Sequence, residues 1–93
     1  MPRAQDMLNE AISITEGAAS SSGDERLSGL IERMQAQSDK FFFMSLAGVP
    51  LANKAKKAAA VIASSADDST IGALEAIVAE IEEKSDAPGT VLT

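Results

Sequence analysis

The sequence predicts an all-α protein. The expected form is a small helical bundle of three to four helices, with a long central helix, a Gly-Val-Pro turn and a C-terminal helical hairpin. Three observations predict it. Apolar residues recur at spacings of three and four in four successive segments, as they do along one face of a helix. Ser, Gly, Pro and Asp collect between those segments, where breaks are expected. And 93 residues without Trp or Tyr, rich in Ala, build only a modest core, at about 25 cal/mol per Å² of apolar surface buried. Side chains that small favour closely packed helices and a bundle completed by oligomerisation.

A first helix is expected over Pro2 to Ala18. Proline suits a first turn, where its missing N–H would go unpaired anyway. Ala4, Leu8, Ala11, Thr15 and Ala18 form its stripe, widened by Met7, Ile12 and Ile14. Gly17 and the run Ser20-Ser21-Ser22-Gly23 are read as its end. That connection allows either an antiparallel hairpin or a loosely attached segment over residues 1–20.

The second helix is expected to be the longest, Asp24 to Ala47. Ser22-Gly23-Asp24-Glu25 fits a capping box between Ser22 and Glu25, with Asp24 as a close competitor for the cap. Leu27, Leu30, Met34, Gln37, Phe41 and Met44 step by three and four, a coiled-coil-like heptad pattern whose one polar position is Gln37. Gln37 reads as a partly exposed position, with a register-setting role as the alternative. Gly48-Val49-Pro50 is read as a real break in preference to a kink. Proline cannot continue a helix, Gly48 suits a left-handed helix end, and Val49 is pushed towards extended backbone.

A third helix follows from Leu51 to Ser64, with a stripe of Leu51, Ala55, Ala58 and Ile62 flanked by Ala59 and Val61. Asp68 or Ser69 is expected to cap the fourth, Thr70 to Lys84, whose stripe is Ile71, Leu74, Val78 and Ile81. An antiparallel hairpin of these two helices would bring Lys54, Lys56 and Lys57 near Glu80, Glu82 and Glu83. Residues 1–93 read as one domain, with 86–93 a flexible tail.

Composition narrows function by exclusion. Without His, Cys, Tyr or Trp the commonest acid–base and nucleophilic groups are missing, so no enzyme, cofactor or metal site is expected. Asp67-Asp68 and Glu82-Glu83 are adjacent pairs, and neighbours on a helix do not share a site. Eight basic against fourteen acidic residues give a net charge of −6, which disfavours nucleic acid and anionic lipid. Polar residues follow Met1-Pro2-Arg3, so no signal peptide is expected. The longest uncharged stretch, Phe41 to Asn53, is too short to span a bilayer. The chain is read as soluble, and cytoplasmic by default.

What remains is Phe41-Phe42-Phe43-Met44-Ser45-Leu46-Ala47-Gly48-Val49-Pro50-Leu51, which holds all three aromatic residues. Three consecutive helical positions span about 200° of arc, so they cannot all sit in one narrow seam. The expected partner interface is Phe41, Phe42, Phe43, Met44, Leu46, Val49 and Leu51, with burial in the chain's own core as the competing reading. The predicted function is a non-enzymatic protein–protein assembly module, either a homo-oligomer or a small subunit or chaperone of a larger complex. One alternative is a helical filament subunit, by analogy with the small helical proteins of secretion apparatus and virus particles. Another is a membrane-active protein inserting at Phe41–Leu51.

Overall fold

A computed structural model describes the backbone of residues 4–44 and 48–86, and the side chains of all of these except 39–44 and 85–86. It contains four helices: α1 (Ala4–Ser22), α2 (Glu25–Met44), α3 (Val49–Ser64) and α4 (Asp68–Asp86). Among the described residues the structure is all-helical, as the periodicity predicts. Helix α2 is the longest, at 20 residues, though only by one over α1 and α4.

Helix α3 ends at Ser64, as expected, and the expected end of α2 at Ala47 lies outside the described residues, but other helix ends differ from their expected positions for local reasons. Helix α1 does not stop at Ala18. It continues through the serine run to Ser22, because Gly23 is where the backbone turns left-handed (φ 71°). The Gly23 N–H donates to the Ala19 carbonyl at 2.9 Å, and only a glycine takes that conformation without strain. At the start of α2 the expected Ser22–Glu25 box gives way to its competitor. Asp24 Oδ1 accepts from the Arg26 N–H at 2.9 Å, while Ser22 Oγ accepts from the Asp24 N–H at 3.3 Å. Helix α3 begins two residues early, at Val49. Gly48 is its N-cap with right-handed backbone (φ −82°), not a left-handed stop, and Pro50 sits in the first turn, where no N–H is required. Val49 is therefore helical rather than extended. At α4 neither Asp68 nor Ser69 is the cap. Asp67 Oδ1 accepts from the Thr70 N–H at 2.8 Å, and Thr70 Oγ1 accepts from the Asp67 N–H at 2.9 Å, a reciprocal box.

Each helix packs on two others: α1 on α2 and α3, and α4 on α2 and α3. Helices α1 and α2, joined by Gly23-Asp24, form one antiparallel hairpin, and α3 and α4, joined by residues 65–67, form another. Two hairpins then lie side by side, with α1 beside α3 and α2 beside α4. Among the described residues, a core of 17 buried apolar side chains runs between them, led in size by Leu8, Leu27, Met34, Ile62, Ile71, Leu74, Val78 and Ile81. The stripes expected for α1 and α4 are all buried, as are the first four heptad positions of α2, so that heptad serves packing within the bundle. Gln37 is buried, at 6% exposure, and not partly exposed as expected. Of the stripe expected for α3, Leu51, Ala55 and Ile62 are buried and Ala58 is only partly so; Ala52 and Ala59 are buried beside it, and Val61 is 53% exposed.

The ion pairs also differ from expectation. Lys56 Nζ meets Glu10 of α1 at 2.7 Å, and Glu82 receives Arg33 of α2, so Lys56 of α3 and Glu82 of α4 find these partners on other helices. Arg26 binds Asp24 at 2.8 Å and Asp68 at 2.9 Å, linking the starts of α2 and α4. Buried Thr15 satisfies its own hydroxyl, donating to the Ala11 carbonyl at 2.7 Å.

Two measurements check this fold. Ala55 is fully buried in the Ala-rich face of α3, so Ala55→Leu should destabilise by about 1–3 kcal/mol in urea unfolding, while exposed Ala60→Leu should stay within about 0.5 kcal/mol. The Asp24 carboxyl lies below its ordinary value of 3.8 because its side chain bonds Arg26. A depressed folded-state value gives stability that is complete above pH 3.8 and lost as pH falls through the lowered value. Asp24→Asn should therefore flatten the acid limb of stability below pH 3.8 relative to the wild type.

Candidate interaction surface

One end of the bundle gathers the start of α1, the end of α2 and the start of α3. Polar bonds tie α1 to α2 there: Gln5 Nε2 donates to the Ser38 carbonyl at 3.1 Å, and Ser38 Oγ donates to Asn9 Oδ1 at 2.8 Å. Of the seven residues expected to form an interface, two have described side chains. Leu51 is 6% exposed within the core, and Val49 packs against that core. Both are thus used inside the bundle. Phe41, Phe42, Phe43 and Met44 occupy the last turn of α2, with side chains outside the described residues, and Leu46 lies outside them altogether.

The helical register of α2 nevertheless separates these positions into two sets. Leu27 and Met34, one and two heptads before Phe41, are buried, and so are Leu30 and Gln37 before Met44. Ser28 and Gln35, in the register of Phe42, are exposed. So are Gly29 and Ala36, in the register of Phe43. The two sets correspond to the inner and outer sides of α2.

Gln37 was legible as a polar heptad position but not as a buried one. Its Oε1 has no hydrogen-bond partner among the described residues. A buried acceptor left without a donor costs about 1–3 kcal/mol. Val61, the large apolar side chain exposed on α3, was also missed, because an Ala-rich helix gives a weak periodic signal about which side faces inward.

The far end of the bundle holds an open hollow of about 230 Å³, lined by Ala18, Ser21, Ser22, Ile62, Ala63 and Ala66. Its lining has no ionisable side chain. Among the described residues no group of three or more His, Cys, Asp or Glu is placed to hold a metal ion. No described helix is long and apolar enough to cross a membrane. No protein-family model, curated protein or solved structure matches the chain.

Substituting Gln37 tests its unpaired carbonyl. Gln37→Met removes the buried acceptor at similar volume and should stabilise the chain by about 1 kcal/mol in urea unfolding. A loss of stability of that size would mean that Oε1 holds a hydrogen bond in solution.

Proposed function

We propose that this protein is a non-enzymatic assembly module that docks on a protein partner through the Phe-rich end of α2. The observation that carries this reading is the register. Phe42 and Phe43 fall on the same lines of α2 as Ser28, Gly29, Gln35 and Ala36, all of which are exposed. Phe41 and Met44 continue the buried lines instead. Aromatic residues are enriched where interfaces concentrate their binding energy, and an apolar cluster at an exposed register has no purpose in an isolated bundle. The described core, moreover, is built from Ala, Leu, Ile, Met and Val, and it occupies the space between all four helices.

Light scattering and sedimentation on the purified full chain test the proposal, with circular dichroism as the control for folding. Phe42→Ser and Phe43→Ser should each keep the helical signal and weaken partner or self-association by more than about 1 kcal/mol. The reading fails if the wild type stays at its 9.6 kDa mass and nuclear Overhauser contacts place Phe42 and Phe43 inside the bundle.

A further inference from the structure

We infer that the outer face of the α3–α4 hairpin is where two copies of this chain meet, with α3 of each lying antiparallel on α4 of the other. This surface is separate from the Phe-rich end of α2 and goes beyond the reading above. Lys54, Lys57, Val61 and Ser64 follow one another along α3 at spacings of three, four and three, and all four are exposed. Val61 is the large apolar side chain left outside, at 53% exposure. Lys56 turns to α1, where it meets Glu10, so this line lies on the side of α3 away from α1. On α4, Glu82 turns to Arg33 of α2, and Ala73, Ala76, Glu80 and Glu83 lie on the side away from it, again at spacings of three, four and three. Ala73, Ala76 and Glu83 are exposed and Glu80 is half-buried.

Charge selects the occupant of this face. Helix α3 has no acidic residue, and Lys54 and Lys57 lie in its first half, while Glu80 and Glu83 lie in the last half of α4. The hairpin brings all four to one end of the bundle. Unlike Lys56 and Glu82, none of the four forms an ion pair with the described residues of its own chain. A second copy related by a two-fold axis running along the helices supplies the partners. Lys54 then faces Glu83, Lys57 faces Glu80, Val61 faces Ala76 and Ser64 faces Ala73, and each contact occurs twice. Lys84 falls beyond Glu83, opposite Asn53. Opposite charges meet at one end, and the small residues at the other let the helices close around Val61. Setting α3 on α3 with both chains pointing the same way would instead place lysine on lysine, and α4 on α4 glutamate on glutamate. Reversing the copy end for end would move the lysines of each chain away from the glutamates of the other. Only the crosswise arrangement pairs opposite signs.

Sedimentation equilibrium on the full chain provides the test. The wild type should approach twice its 9.6 kDa mass as concentration rises through the micromolar range. Val61→Glu puts a charge against Ala76 of the second copy and should weaken association roughly 100-fold. Because Val61 is exposed and glutamate is the better helix former, the same variant should keep its helicity, so misfolding would not explain the loss. Lys57→Glu and Glu80→Lys should each weaken association about tenfold, and the double variant should restore it. Lys57→Glu combined with Glu16→Lys, which restores the net charge on the exposed side of α1, should not. The chain has no cysteine, so a mixture of the Val61→Cys and Ala76→Cys variants should form an inter-chain disulfide under mild oxidation, and neither variant should do so alone. A wild type that stays at the chain mass throughout overturns the inference. So does a Val61→Glu variant that associates normally, or a disulfide that each cysteine variant forms with itself and not in the mixture. Self-association that Phe42→Ser or Phe43→Ser weakens while Val61→Glu leaves it intact belongs to the Phe-rich end of α2, and it too overturns the inference.

Discussion

The bundle depends on how closely α1 can lie on α3. The side chains buried on those two helices are largely methyl-sized: Ala4, Ala11 and Ala18 on one, Ala52, Ala55 and Ala59 on the other, all at 5% exposure or less. Side chains this short bring backbones near and bury little area individually, so stability comes from dense contact and not from bulk. The larger residues lie mainly on α2 and α4, as Leu27, Leu30, Met34, Ile71, Leu74, Val78 and Ile81. An Ala-rich layer packed against an aliphatic one is how so short a chain closes a core without Trp or Tyr.

That division also sets the charges. With α1 beside α3, Lys56 reaches Glu10, and with α2 beside α4, Arg33 reaches Glu82 and Arg26 reaches Asp68. Lys56–Glu10 and Arg26–Asp68 are exposed and contribute little energy each, while Arg33–Glu82 is partly buried. They follow from the neighbour relations set by the core and do not create them.

Periodicity made α1, α2 and α4 readable, because Leu, Ile, Met and Val mark an inward face unambiguously. It was weaker on α3, where Leu51, Ala55 and Ile62 were placed correctly but alanines at 52, 55, 58, 59 and 60 surround the helix and only the neighbouring backbones decide which of them are buried. Helix ends were read to within a few residues. At the caps of α2 and α4 the misses came from neighbouring candidates that can each cap a helix, Ser22 and Asp24 at one and Asp67 and Asp68 at the other, where backbone geometry makes the choice. The charge partners were not readable, since Lys56 cannot reveal by sequence whether α1 or α4 lies beside it. The Phe cluster was conspicuous by composition alone, whereas Gly29 and Ala36 looked like ordinary helix residues. Their significance depends on knowing that they are exposed and aligned with Phe43.

A net charge of −6 opposes any meeting of two copies. Where the repulsion is least therefore matters as much as where the apolar residues are. The outer side of α1 carries Asp6, Glu10 and Glu16, and that of α4 carries Glu75, Glu80 and Glu83. Two such faces brought together would place like charges opposite one another. On α2 the acidic Glu25, Glu32 and Asp39 are matched in number by Arg26, Arg33 and Lys40. Charge thus weighs against self-association that sets the more acidic face of α1 or α4 on its own copy.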